Sequence, residues 1–305
     1  MSVILITDCD HPTVDIERII FSSAGYTLKV ASCRSADDVI RAGDHAVALL
    51  SQYAPITEAV LDALPHLRVL GRYGVGLDNI DLDAAARRGL TVVNVPDYCT
   101  DEVADHAFGL ILMLCRGLSV LHRHARHGTW DFHSAGDLHR TATQQLGLIG
   151  LGRIGTAVAR RALASGFTVV ATDPHPLGLA RIPLVPMAEL LHKSDVVTIH
   201  APLDPSTRHL LGSRELALMK PSAFLVNTAR GALVDQSALA RALTSGQLRG
   251  AALDVLETEP PLDNDALLRL PNVVVTPHAA FYSEESISEL KSRVAQAMVQ
   301  ALDGP

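Results

Sequence analysis

Along the chain, short apolar runs alternate with stretches whose apolar positions recur every three or four residues. This pattern predicts buried strands joined by helices, hence a parallel sheet covered on both faces. The first block reads as a strand over Val3–Thr7, a helix from Pro12, a strand over Thr27–Ser32, a helix near Ser35–Ala42 and a strand over Ala46–Leu50. A helix around Ile56–Ala63 and strands at Val69–Leu70 and Val92–Asn94 complete it, with no phosphate loop after its first strand. From Asp101 to Leu121 the pattern predicts one long apolar helix. The second block has strands at Gly147–Ile149, Phe167–Thr172, Val196–Ile199, Phe224–Val226, Ala251–Leu253 and Val273–Val275.

One junction in the second block carries chemistry. Gly150, Gly152 and Gly155 follow a buried strand as G-x-G-x-x-G and open a helix. The first glycine permits a tight turn, the second lets backbone approach a pyrophosphate, and the third lets helix pack on strand. The free N–H groups of the helix start favour an anion. Asp173 ends the next strand roughly 20 residues on, where a carboxylate can bind ribose hydroxyls. Together these elements predict a dinucleotide site.

The other strand ends agree with that placement. In an open α/β sheet the binding crevice lies beyond the carboxyl ends of the strands. Four successive ends carry His200, Asn227-Thr228-Ala229-Arg230-Gly231, Asp254 and Pro277-His278. Arg230 offers a planar fork for a carboxylate, and His278 can donate or accept a proton near neutral pH. Glu257 and Glu259 are both candidates for the carboxylate beside His278, and spacing does not choose between them.

Composition narrows the classes. The 305 residues suffice for two domains with separate cores. A 48% hydrophobic and 19% charged content indicates a globular chain. A net charge of −7 gives no general pull toward nucleic acid or an anionic membrane. The apolar run Phe108–Cys115 is too short to span a bilayer. Absence of a basic leader before the first strand, and four scattered cysteines (Cys9, Cys33, Cys99, Cys115), lead us to expect a cytoplasmic protein without disulfides or zinc. His122, His124, His133 and His139 suggest a metal at first sight, but His122 and His124 would not share a helix face. No metal site is expected. Glu284 and Glu285 are expected to cap the last helix after Ser283.

These motifs resemble the D-isomer-specific 2-hydroxyacid dehydrogenases over almost the whole chain. The residues that carry the resemblance are the glycine loop with Asp173, Asn227-Thr-Ala-Arg230-Gly, Asp254-Val-Leu-Glu-Thr-Glu259-Pro and Pro277-His278-Ala-Ala. It implies an α/β fold of two Rossmann-like/flavodoxin-like doubly wound parallel-sheet domains. The substrate domain would comprise 1–98 plus 281–305. The NAD-binding domain would comprise 99–280, with a dimerisation helix and arm near 101–140 and a homodimer as the assembly. The family's triad carries over as Arg230, Glu259 and His278. NAD contacts are implied for Thr100, Gly150, Gly152, Arg153, Ile154, Gly155 and Asp173. Further on they are implied for His200, Ala201, Pro202, Thr207, Thr228, Ala229, Arg230, Asp254, His278 and Ala280, with Asp254 and the Thr228–Ala229 backbone orienting the carboxamide.

A small 2-oxo or 2-hydroxy acid would meet Arg72, Tyr73, the Val75 and Gly76 amides, Arg230, His278 and Phe281. The stretch His278-Ala-Ala-Phe281-Tyr282-Ser283-Glu284 together with Arg72 is most similar to the C-terminal-binding-protein branch, whose members carry tryptophan at the place of Phe281. The implied activity is hydride transfer from NADH to a 2-oxo acid, with His278 as proton donor. Two alternatives stand beside it: an NAD(H)-sensing corepressor-like scaffold, and a dehydrogenase acting on a phosphonate- or phosphite-type anion. The chain ends without the appended regulatory domain of the longer phosphoglycerate dehydrogenases, so serine biosynthesis is not the expected role.

Overall fold

A computed structural model describes residues 2–177 and 182–304. The chain divides into two compact units, one of residues 1–98 and 283–305 and one of 99–282. The first unit begins β1 (Val3–Ile6), α1 (Asp15–Ser23), β2 (Thr27–Val30), α2 (Ala36–Ala42) and β3 (Ala46–Ser51). It continues with α3 (Glu58–Ala63), β4 (Val69–Arg72), α4 (Leu82–Arg87) and β5 (Thr91–Val93). Its five strands pair in parallel in the order β2-β1-β3-β4-β5. Ser35 starts α2 by accepting the Asp38 N–H while Asp38 bonds back to the Ser35 N–H, which satisfies two amides of the helix start. Leu5, Leu49, Ile56, Val60, Leu61 and Leu70 build part of its core.

The second unit opens with α5 (Thr100–Cys115) and α6 (Leu118–Arg126). The single helix expected over Asp101–Leu121 is therefore two helices, bent by 63°. Gly117 makes the break. Its φ of +59° is left-handed, and a Cβ there would lie 2.8 Å from that of Ala135. Among the described residues no single helix is long and apolar enough to cross a membrane.

There follow β6 (Gln145–Ile149), α7 (Arg153–Ala164), β7 (Thr168–Thr172), α8 (Met187–Lys193), β8 (Val196–Ile199) and α9 (Ser213–Leu216). β9 (Phe224–Asn227), α10 (Gln236–Thr244), β10 (Gly250–Leu253) and β11 (Val273–Val275) complete the unit. Its sheet is parallel in the order β11-β10-β9-β8-β6-β7. The strand order reverses between β6 and β8, the topological position where a crevice opens at the carboxyl ends. One core around Leu190, Val197, Leu225, Leu233 and Leu239 covers one face, and another around Ile111, Leu146, Leu148, Val158 and Val226 covers the other.

The chain then returns to the first unit as α11 (Glu284–Asp303), packed on α1 and β4. Its cap differs from the expectation. Ser283 accepts the Ser286 N–H, and the Ser286 hydroxyl accepts the Ser283 N–H, so serine fills the place assigned to Glu284 and Glu285. Both glutamates remain in the first turn, where negative charge complements the helix dipole.

Candidate active site

The turn after β6 is shaped by backbone crowding. Gly150 has a φ of +97°, and a Cβ on it would lie 2.6 Å from the His200 carbonyl. A Cβ on Gly155 would lie 2.2 Å from the Gly150 oxygen. Gly152 differs: nothing stands within 4 Å of the place its Cβ would take. Two glycines thus close the turn and the third opens a space before Arg153 and Ile154 at the start of α7, whose N-cap offers no side-chain acceptor. Asp173 borders this turn. Its Oδ2 accepts the Leu151 N–H and its Oδ1 the His175 N–H, each at 2.6 Å, and each oxygen retains a second acceptor direction.

The neighbouring strand ends fit the same reading. The Thr228 hydroxyl is buried without a partner at the end of β9. His200, after β8, bonds the Thr198 hydroxyl through Nε2 at 3.0 Å, and burial pushes its pKa down to about 3, so it is a neutral ring. Beyond Ala201, Thr207 Oγ1 accepts the Asp204 N–H and donates to the Pro202 carbonyl, both at 2.8 Å. An open glycine, uncapped helix amides, a carboxylate at the next strand end and an orphaned hydroxyl are the donors and acceptors a dinucleotide needs.

At β9, β10 and β11 the unit assembles titratable groups. His278 Nδ1 lies 2.6 Å from Glu259 Oε2, and Glu259 Oε1 accepts the Leu256 N–H at 2.8 Å. Glu257, the other candidate, pairs instead with His209. Burial pushes the Glu259 carboxyl up. The His278 hydrogen bond and charge, the Leu256 N–H and the Arg230 charge outweigh it and hold the group below the usual carboxylate range.

Arg230 is placed by its turn. The Asn227 side chain donates to the Arg230 carbonyl at 2.8 Å and accepts the Ala229 N–H at 3.0 Å, while Arg230 Nη1 donates to the Ala229 carbonyl at 2.8 Å. Gly231 lets this turn lie against the Leu256–Glu257 backbone, since a Cβ there would be 2.0 Å from the Leu256 carbonyl carbon. The His278 and Phe281 rings meet edge-on at 6.2 Å.

Asp254 is 2% exposed and accepts the Thr276 hydroxyl and the N–H groups of Ala279 and Ala280. Its contacts fix the loop that bears His278. Sequence reasoning missed Thr276 and His106, which lies 3.0 Å from the Thr276 hydroxyl. The available signal was His106 standing three residues after Val103 and four before Leu110, in line with two buried positions of α5.

In the first unit, Arg72 ends β4 and donates to the Tyr73 carbonyl, and the Asn94 side chain donates to the Val75 carbonyl at 2.6 Å, one residue before Gly76. Tyr73 departs from the expectation of a substrate-facing ring. It is 2% exposed, its hydroxyl donates to the buried Glu17 at 2.6 Å, and burial raises its pKa. The ring is core. Thr100 begins α5 in the other unit.

The sequence profile of the family described as D-isomer specific 2-hydroxyacid dehydrogenase, NAD binding domain, matches residues 108–280. The chain is 41% identical over 266 residues to a glyoxylate reductase of Korarchaeum cryptofilum, covering 84% of this chain and 79% of the relative. It is also 41% identical over 254 residues to a D-3-phosphoglycerate dehydrogenase of Methanocaldococcus jannaschii, covering 82% of this chain and 48% of that protein. The chain therefore spans about half the length of that relative. A crystal structure of D-lactate dehydrogenase from Aquifex aeolicus, complexed with NAD and lactic acid, is 29% identical. It superposes with a TM-score of 0.91 over 99% of this chain and 96% of its own.

Proposed function

Since the chain belongs to the D-isomer-specific 2-hydroxyacid dehydrogenase family and carries its NAD-binding domain, we propose that it reduces a small 2-oxo acid to the D-2-hydroxy acid with NADH. The observation that carries this reading is the 2.6 Å pairing of His278 with Glu259 on the sheet edge that also bears Arg230 and the glycine turn. Bound NADH supplies the hydride. The open space at Gly152, the α7 amides, Asp173 and the Thr228 hydroxyl hold the dinucleotide.

Arg230 binds the substrate carboxylate through its guanidinium fork. His278 carries a proton on Nδ1 toward Glu259, which leaves Nε2 to donate to the carbonyl oxygen as it gains charge. Glu259, kept ionised, accepts the Nδ1 hydrogen and orients the ring for this donation. In the first unit, the Arg72–Gly76 segment is a substrate-loop assignment resting on the resemblance. The exposed Leu118, Trp130 and Phe132 of the 101–140 segment support a homodimer.

The test is NADH oxidation by the purified chain with glyoxylate, pyruvate, hydroxypyruvate and 2-oxoisocaproate, with chiral analysis of the product. We expect turnover on at least one acid, D-configured product from the prochiral acids, and a loss of roughly 10²–10⁴-fold in kcat/KM in His278→Ala. Nucleotide binding without turnover on any of the acids would overturn the reading in favour of an NAD(H)-sensing scaffold.

A further inference from the structure

His278 has a φ of +51°, an uncommon backbone conformation for a non-glycine residue. Its surroundings converge on Asp254. The His278 N–H donates to the Asp254 carbonyl at 2.8 Å, and the next two amides, of Ala279 and Ala280, donate to the two Asp254 carboxylate oxygens at 2.9 Å each. Thr276 Oγ1 donates to Asp254 Oδ1 at 2.6 Å. Behind Thr276 stands His106 of α5, with Nε2 3.0 Å from Thr276 Oγ1 and 3.5 Å from Asp254 Oδ1.

Proton counting gives this chain a direction. A carboxylate only accepts, and a hydroxyl has one proton. The Thr276 proton goes to Asp254, so Thr276 Oγ1 accepts from His106, and His106 Nε2 carries a hydrogen. The order is His106 to Thr276 to Asp254, and from Asp254 to the amides that follow His278. A buried carboxylate that lost its hydroxyl donor would shift to compensate, toward His106 Nε2 or toward the Ala279 and Ala280 amides it already holds, and either shift moves the His278 loop.

We propose that Thr276 and His106 are positioning residues: acting through Asp254, they fix the left-handed backbone of His278 and so the direction in which its Nε2 presents the proton. This rests on His278 being the proton donor. His106 and Thr276 touch neither substrate nor the reacting atoms in this proposal. The core residues Ala104, Ala107, Leu110 and Ile111 secure α5 itself, so the polar chain specifies the loop more than the helix.

The test compares the full-length chain and its Thr276→Val, Thr276→Ser, His106→Leu and His106→Gln variants, with NADH and the best acid of the panel above. Thr276→Val is expected to lower kcat by roughly 10- to 100-fold, the scale of a misplaced catalytic group, with KM little changed. Thr276→Ser restores most of the rate. His106→Leu loses rate in the same sense, and His106→Gln, whose amide N–H can donate to Thr276, recovers it.

The decisive comparison adds Thr276→Val to His278→Ala. Positioning of His278 predicts no further loss in that background, because groups acting as one unit are not additive. An equal loss in both backgrounds, or a wild-type kcat in Thr276→Val, overturns the proposal. If Thr276→Val does not fold, the His106 pair, a quarter exposed at the histidine, carries the same comparison. Wild-type turnover by His278→Ala would overturn the reading of the site together with this inference. An inactive His278→Ala beside a fully active Thr276→Val would overturn this inference alone.

Discussion

Gly231→Ala should damage the site through backbone displacement alone. The added Cβ would stand 2.0 Å from the Leu256 carbonyl carbon, 2.1 Å from its oxygen and 2.4 Å from the Glu257 nitrogen. All three are backbone atoms, so no side chain can swing aside. Ordinary contact begins at 3.4 Å, and the two segments must part by about 1 Å or more, a displacement on the scale that costs roughly 10²-fold in rate when it misplaces a reacting group. One segment carries Arg230. The other bears the Leu256 N–H that anchors Glu259 and the Glu257 N–H that donates to Gln236.

Overpacking of this kind costs about 1–3 kcal/mol, which for a unit of this size lowers Tm by roughly 2–12 °C. Gly152→Ala is the control, for its Cβ meets nothing within 4 Å. That variant should melt within about 0.5 kcal/mol of wild type yet bind NADH more weakly, because the methyl occupies the space assigned to the pyrophosphate. Thermal melting, NADH fluorescence titration and kcat/KM with the best acid read all three effects. A Gly231→Ala protein with wild-type Tm and kcat/KM would refute the reasoning. So would a Gly152→Ala protein that melts lower and binds NADH unchanged.

Two further outcomes follow from the acids. Asp173 should make the chain prefer NADH, since its carboxylate would bond the ribose hydroxyls and repel a 2′-phosphate. Asp173→Ala should lower kcat/KM with NADH by roughly 10- to 100-fold, the range of one charged hydrogen bond, and narrow the gap to NADPH; a wild-type preference for NADPH would refute this. Glu259 is held below the usual carboxylate range, so its charge and the acceptor it offers to His278 Nδ1 persist above that range and are lost only as pH falls through the lowered value. Glu259→Gln removes the charge at every pH. The reduction rate should then lose the acid-side dependence that protonation of Glu259 gives the wild type, and an unchanged acid limb would show that Glu259 does not act on His278.

The strand ends and the glycine turn were legible because each depends on local sequence. A buried run followed by glycine or a polar residue locates the carboxyl edge of a parallel strand without tertiary knowledge. What the sequence left open depends on contacts between distant segments. The choice between Glu257 and Glu259 needed the fold, which gives His209 to the first and His278 to the second. Tyr73 follows a buried strand beside a glycine-rich loop, as a pocket residue would, and only the approach of Glu17 from α1 shows that its ring is core. The α5–α6 break turns on Gly117 meeting Ala135, and in a helix pattern one glycine is a modest signal. The cap of α11 was read from the acids because glutamate is the common partner of a capping serine; Ser286 does the same work with a shorter reach.

Three acids of the candidate site act on the backbone around it. Asp173 holds the Leu151 and His175 amides, Asp254 holds those of Ala279 and Ala280, and Glu259 holds that of Leu256. Each fixes backbone next to a group assigned to cofactor or substrate. Asp254 uses both oxygens as acceptors, one toward Thr276 Oγ1 and Ala279, the other toward Ala280. An asparagine has one acceptor oxygen, and its NH₂ would face a peptide N–H whichever way the amide turned. The near-isosteric change is therefore a severe one at Asp254: it leaves a buried donor unpaired and pushes on the loop of His278. The need for two acceptor oxygens at this position follows from the geometry of the amides around it, independently of any role toward the nicotinamide.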